Sequence, residues 1–271
     1  MALNADRIMP AHQADYWKGR VVLITGAGSG IGQATALEFA RAGAQLVLLG
    51  RKEAPLAETA ALVEELGAPK ALVISGCDVS NNDDMGSALK KVESAFGRLD
   101  AAFNNAGVAQ KAPAATAELD ATEWNRVLDI NLRGVFLSMK HELPLLEKTG
   151  GGAIVNTASC AGKVGFAGYA AYCASKFGVI GLTKTAALDY AQKKIFINAI
   201  CPGPVETPLI EEFTGHQKAV MDAILQTVPE RSVAKPAQIA SMVFQMCAPW
   251  NSYMTGAAVS VDGGQTAGYA G

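Results

Sequence analysis

Short apolar runs recur along the chain and alternate with longer stretches of mixed apolar and polar positions. The runs fall near residues 20–24, 45–49, 71–75, 99–103, 152–157, 195–200 and 258–261. They are almost continuously Val, Leu, Ile and Ala, the pattern of strands buried on both faces of a parallel sheet. Between them, stretches near 32–42, 53–66, 82–96, 121–148, 169–192 and 236–248 carry the spacing of helices with one apolar face. Strands that alternate with helices predict right-handed βαβ units and a parallel sheet covered on both sides. The expected architecture is α/β, a doubly wound sheet of seven strands in a single domain. Residues 111–116 read as loop, and 204–232 is the least regular stretch, with a helix or two inside it and the look of a mobile lid. Residues 1–17 read as an N-terminal extension, and 18–271 as the domain.

In such a sheet, ligands sit beyond the carboxyl ends of the strands. After the first run comes Thr25-Gly26-Ala27-Gly28-Ser29-Gly30-Ile31-Gly32, and then a helix. In a strand–loop–helix setting, glycines allow a tight turn and let a pyrophosphate approach the backbone. The helix N-terminus offers free N–H groups and a positive dipole end to the phosphates. The pattern predicts a Rossmann-type dinucleotide site, with Gly26, Ser29, Gly30, Ile31 and Gly32 as the expected cofactor contacts.

The segment from Ser159 to Lys176 holds a hydroxyl, then Tyr172, then Lys176 four residues on. On a helix, positions i and i+4 share a face, so an ammonium stands beside a phenol. A nearby positive charge is expected to lower the phenol pKa and make Tyr172 a usable proton donor and acceptor.

Together these features resemble the short-chain dehydrogenase/reductase family, in its compact, 3-oxoacyl-carrier-protein-reductase-like branch. The resemblance runs from about residue 18 to 264 and rests on further motifs in order: Asn104-Asn105-Ala106-Gly107, Asn131, Ser159, and Pro202-Gly203 followed by Thr207. It implies Asn131, Ser159, Tyr172 and Lys176 as the catalytic set, with Asn131 anchoring a water relay. It implies that Asn105, Ala106, Gly107, Pro202, Gly203, Val205, Thr207, Tyr172 and Lys176 meet the cofactor, and that Asp78 and Val79 meet its adenine. Asp78 could instead serve the next helix, although Ser80 is the better-placed cap. It also implies a homotetramer built on the two long helices, 121–148 and 169–192.

The second run ends in Gly50-Arg51-Lys52. An NAD-selecting chain is expected to place a carboxylate there for the ribose hydroxyls. Gly50 offers none, and the Arg51 fork suits a 2′-phosphate. NADP(H) is therefore favoured and NAD(H) stays open, because Ser29 is not basic and an arginine can also stack on adenine.

Composition narrows the partners. The chain has 271 residues, half of them hydrophobic, and a net charge of −2 with no basic run, which argues against nucleic acid. No apolar run approaches the ~18 residues that span a bilayer. Five cysteines, an odd number, suit reduced thiols in the cytoplasm. The three histidines are scattered, so no metal is expected. Around the candidate chemistry, Val164, Phe166, Val205, Leu209, Ile210, Phe213 and Met221 point to a neutral, moderately hydrophobic ketone or secondary alcohol. Two alternatives remain: a β-ketoacyl carrier-protein reductase, using Lys111, Arg126, Arg133 and Lys140 as a basic patch, and an NAD-dependent dehydrogenase of sugars or cyclic diols.

Overall fold

The order of elements follows the alternation in the sequence. The computed structural model describes residues 15–268. Seven strands, β1 (Val21–Thr25), β2 (Gln45–Leu49), β3 (Leu72–Ile74), β4 (Ala101–Asn104), β5 (Gly152–Thr157), β6 (Ile195–Pro202) and β7 (Ala258–Val261), form one sheet in the order β3-β2-β1-β4-β5-β6-β7. Every pairing is parallel. The chain reverses its direction of winding between β1 and β4, where doubly wound sheets open a ligand crevice.

The continuous apolar runs have a simple cause. Val21 and Leu23 pack into the core under α3 (Asn82–Phe96), α5 (Gly134–Thr149) and α6 (Ala170–Tyr190). Val22 and Ile24 face the opposite core under α1 (Gly30–Arg41), α2 (Glu53–Glu65) and α9 (Pro236–Cys247). Each residue of β1 is buried whichever way it points.

Three boundaries differ from the sequence reading. Trp17, read as part of the extension, is buried against Phe39, with ring centroids 4.7 Å apart, and against Phe244. The entry to β1 is pinned by Asp100, which accepts hydrogen bonds from Arg20 (2.9 Å), Arg98 (2.6 and 2.9 Å) and the Val21 N–H (2.9 Å). The packed domain thus reaches back at least to residue 16; residues 1–14 lie outside the described residues.

The expected helix 121–148 is interrupted. It runs as α4 (Ala121–Leu128), a π turn (Asp129–Arg133) and α5. One residue too many for an α-helix is absorbed there, a device common at functional positions. Gly134 follows because a Cβ at that point would meet Val79 Cγ2 at 2.7 Å. Finally, α3 is capped by Asn81, whose side chain accepts from the N–H groups of Asp83 and Asp84. Ser80, the expected cap, instead donates its N–H and hydroxyl to Asp78 Oδ1.

A polar thread runs through the core beneath β4 and β5. Asn104 Nδ2 donates to Glu142 Oε2 and to Asn156 Oδ1, both at 3.0 Å. Asn156 passes the chain on to Thr183 at 3.0 Å. Glu142 is fully buried, and burial pushes its carboxyl up to about 7 against the pull of Asn104. Both Glu142 Oε1 and Asn104 Oδ1 are buried acceptors without a donor, as expected of a carboxyl that holds its proton. Its folded pKa is above the unfolded one. Between about pH 4.5 and 7 the folded chain therefore keeps a proton that the unfolded chain releases, and stability falls as pH rises through that window. Glu142→Gln should flatten this dependence, worth up to ~3 kcal/mol. Thermal melts at pH 5 and pH 8 check it; a variant that loses as much stability as the parent over that range would refute the assignment.

Candidate active site

The carboxyl ends of β1, β4, β5 and β6 open into one cleft of about 580 Å³. Its floor is the glycine loop. Gly26 and Gly30 hold positive φ values (65° and 53°) that other residues rarely adopt. Gly32 sits so close to the turn that a Cβ would meet Gly26 O at 2.2 Å. Asn105 ties the loop to β4: its Nδ2 donates to Thr25 O and Gly26 O, both at 3.3 Å, and its N–H to Thr25 Oγ1 at 2.9 Å. Ser29 precedes α1 in an extended conformation and makes no side-chain cap, and the first turn holds no acidic residue. The helix start therefore keeps its donors and its positive end for an anion. The cradle, the uncapped helix and the orphaned Thr157 Oγ1 in the cleft wall fit a dinucleotide.

Deeper in stand Ser159, Tyr172 and Lys176, all buried and all lining the cleft. Ser159 leaves β5 in an extended conformation and caps a short turn, its Oγ accepting from Ala161 N at 3.1 Å. Tyr172 and Lys176 lie on the first turns of α6. Lys176 Nζ donates to Thr157 O at 2.8 Å and stands 5.7 Å from the Tyr172 ring centre. The sequence predicted a lowered phenol pKa; the structure overturns this. Burial pushes Tyr172 upward, with Cys160 adding to it and the Ser159 hydroxyl opposing. The same burial lowers Lys176 to about 8. Desolvation wins because the ammonium is directed at a carbonyl rather than at the phenol oxygen.

Asn131, in the π turn, is buried behind the cleft wall. Its Oδ1 accepts from Val108 N (2.8 Å), and its Nδ2 donates to Val108 O (3.0 Å) and Ser175 Oγ (3.2 Å). A Cβ on Gly107 would lie 3.2 Å from Asn131 Oδ1 and 3.7 Å from Lys176 Nζ, so these three residues share one corner.

Ala106, Gly107, Pro202, Gly203, Val205 and Thr207 line the cleft as the sequence suggested. Arg51, Asp78 and Val79 do not; they follow β2 and β3, and Val79 is buried against Gly134. Arg51 is exposed and near enough to act on Asp78. Burial would raise the Asp78 carboxyl, but the two Ser80 hydrogen bonds and Arg51 hold it below the usual range.

The stretch expected to form a lid comprises α7 (Pro208–Thr214) and α8 (Lys218–Gln226), pinned at its stem by Glu206 N to Ala234 O (2.9 Å) and Ala234 N to Pro204 O (3.0 Å). Thr207 opens α7, but its hydroxyl donates to Val205 O instead of capping. Phe213 stacks on Tyr169 at 4.2 Å and turns toward Tyr172 at 6.2 Å. None of the residues of α8 is buried, and its Val220, Ala223 and Ile224 line the cleft. Of the expected apolar contacts, Phe166, Val205, Leu209, Ile210 and Phe213 are there, while Val164 and Met221 are not. Cys160 is also in the wall, but burial raises its thiol to about 11, which makes it inert.

Residues 26–266 match the family profile described as enoyl-(acyl carrier protein) reductase. The chain belongs to the short-chain dehydrogenase/reductase family. This short-chain dehydrogenase/reductase is 41% identical to cyclohexanol dehydrogenase of Acinetobacter sp. (strain SE19), over 93% of this chain and 97% of that one. The crystal structure of levodione reductase matches with a TM-score of 0.88 at 36% identity, covering 93% and 100% of the two chains. A variant of actinorhodin polyketide ketoreductase with NADPH matches at 0.86 and 35%, covering 91% and 97%. The enzyme is an oxidoreductase of a family that uses NAD(H) or NADP(H). Among the described residues, no group of His, Cys, Asp and Glu could hold a metal ion, and no helix is long and apolar enough to cross a membrane.

Several cleft residues escaped the sequence reading, among them Val108, Thr157, Ala158, Tyr169 and Gln265. Thr157 had a signal, a hydroxyl residue at the carboxyl end of a strand. Gln265, just after the Asp262-Gly263-Gly264 turn, had none.

Proposed function

We propose that this enzyme interconverts neutral, moderately hydrophobic ketones and secondary alcohols, with NADP(H) favoured over NAD(H). The observation that carries the reading is the meeting of a serine hydroxyl, a phenol and an ammonium at the inner end of a cleft whose outer walls are apolar. A bound nicotinamide would supply the hydride for the carbonyl carbon or accept it from the carbinol. Tyr172 gives the carbonyl oxygen its proton, and Ser159 holds that oxygen by a hydrogen bond. Lys176 would hold the cofactor ribose, and the corner it shares with Asn131 would pass the proton to solvent through water. Asn131 keeps Val108 and Gly107 in place against that corner. The relatives named for cyclohexanol and levodione support a ring-bearing substrate.

Of the four cations that the carrier-protein alternative would use, Arg126 is paired with Glu123 at 2.7 Å. Arg133 and Lys140 donate to the neutral oxygens of Ser80 and Asn82 and keep their charge, and Lys111 is exposed. The charges therefore leave this alternative open. Exposed Phe136, Phe177 and Leu188 on α5 and α6 support a homotetramer through these helices, and five free cysteines suit a cytoplasmic setting.

The test is the change in nicotinamide absorbance with cyclohexanone and acyclic ketones, using NADPH and NADH, on the parent and on Arg51→Ala. Turnover with NADPH is expected, and the substitution should raise its KM by roughly tenfold to a hundredfold, the cost of one charge-assisted contact. NADH should be affected far less. Turnover with NADH alone would discard the 2′-phosphate argument. Turnover of acyl thioesters alone would return weight to the carrier-protein reading.

A further inference from the structure

The last turn of the domain carries an acceptor that the mechanism above does not use. After β7, Asp262 gathers the chain: its carboxylate accepts from Gly264 N (3.1 Å), Thr266 N (3.1 Å) and Thr266 Oγ1 (2.5 Å). This turn supports the far end of the lid, since Glu230 N donates to Gly263 O at 3.1 Å and a Cβ on Gly263 would meet Val228 Cγ1 at 2.8 Å. Gln265 projects from the turn into the cleft wall, beside Thr227 at the end of α8.

The orientation of its amide follows from the hydrogen bonds. Thr227 Oγ1 gives its only proton to Ile224 O at 2.7 Å. It can therefore only accept from Gln265, and it does so from Nε2 at 2.8 Å. That leaves Gln265 Oε1 as the free end, and it is buried without a donor. A buried acceptor left unpaired is costly, so a site that retains one is built to receive a donor. No side chain of the cleft reaches it with a donor: among the lid residues there, Phe213, Val220, Ala223 and Ile224 are apolar, and Ser159, Tyr172 and Lys176 belong to the reacting end. With the lid seated, the oxygen is out of reach of solvent, so its donor must enter with the substrate before the lid closes.

We propose that Gln265 is a substrate-binding, specificity-determining residue whose Oε1 accepts a hydrogen bond from a second hydroxyl on the substrate, remote from the reacting carbon. The inference rests on the ketone/alcohol reading above and deepens it: the preferred substrate class is a ring-bearing hydroxyketone or diol rather than a plain ketone. Thr227 positions the amide and makes the recognition dependent on the lid.

The experiment compares kcat and KM of the full-length enzyme on a matched pair, cyclohexanone and 4-hydroxycyclohexanone, for the parent, Gln265→Leu and Gln265→Glu. The parent should favour the hydroxyketone by about tenfold in kcat/KM, mostly through KM, as expected for one hydrogen bond to an otherwise unpaired group. Gln265→Leu should bring the ratio near one. Gln265→Glu keeps an acceptor of the same reach, held in place if Thr227 Oγ1 turns its proton from Ile224 O to the carboxylate, and should restore the preference, which a purely structural clamp on the lid would not do. Equal kcat/KM values in the parent would overturn the proposal, as would a leucine variant that loses both substrates alike and is not rescued by glutamate. Failure of the parent on both ketones would sink the ketone reading itself and this inference with it, whereas turnover without preference sinks only the role of Gln265.

Discussion

Tyr172→Phe should lower kcat for ketone reduction by about 10³-fold, the scale of a well-placed general acid. This equals about 4 kcal/mol of transition-state stabilisation. The ring stays buried against Phe213 and α6, so folding and cofactor binding should survive. The pH profile separates this role from a packing role. Burial holds the phenol pKa above its ordinary value. The proton needed for reduction is therefore present throughout the neutral range, and kcat for reduction should be flat between about pH 6 and 8. Alcohol oxidation needs the deprotonated form and should climb over the same range. Steady-state rates in both directions test this. A variant that keeps more than a tenth of the activity, or oxidation that is flat with pH, would remove Tyr172 from the proton step.

Gly32→Ala should have the second large effect, on the cofactor rather than on the chemistry. The added Cβ would lie 2.2 Å from Gly26 O and 2.8 Å from Asn105 Nδ2. Neither neighbour can yield alone, since Asn105 is itself bound to Thr25 O and Gly26 O. The loop must open, and the spacing between the turn and the start of α1 is lost. Overpacking of this kind costs ~1–3 kcal/mol, which for a domain of this size means a melting point lower by roughly 2–10 °C. Affinity for NADPH should fall at least a hundredfold, because the α1 donors no longer face the phosphates. Cofactor titration by fluorescence and thermal melts measure both effects. A dissociation constant within threefold of the parent would show that the loop tolerates the methyl group and that the close approach is unimportant.

The fold was legible because burial on both faces writes itself into composition. Runs such as Val21-Val22-Leu23-Ile24 and Leu46-Val47-Leu48-Leu49 allow no solvent-facing position, and glycines and proline mark where they end. The elements that were misjudged depend on contacts distant in sequence. Within the π turn Asn131 is held by Val108, twenty-three residues away. Nothing in the periodicity of 121–148 records that. Trp17 was assigned to an extension because its pocket is made by Phe39 and Phe244. Ser80 lost the cap of α3 to Asn81 because Asp78 took its N–H and hydroxyl first.

The sequence by itself determined the alternation of strands and helices, the glycine loop, and the order Asn131, Ser159, Tyr172, Lys176 that places the chain in its family. These are local patterns, set by the periods of helix and strand and by the few residues a tight turn accepts. Only the tertiary structure decided depth and direction. It showed that desolvation, not Lys176, controls the Tyr172 phenol, since spacing on a helix says which residues are neighbours but not how much water they keep. It brought Gln265 from the end of the chain beside Thr227 of the lid, and it left Glu142 sealed with Asn104 under the sheet. Those meetings depend on how β4, β7, α5 and α8 pack, which no stretch of residues encodes alone.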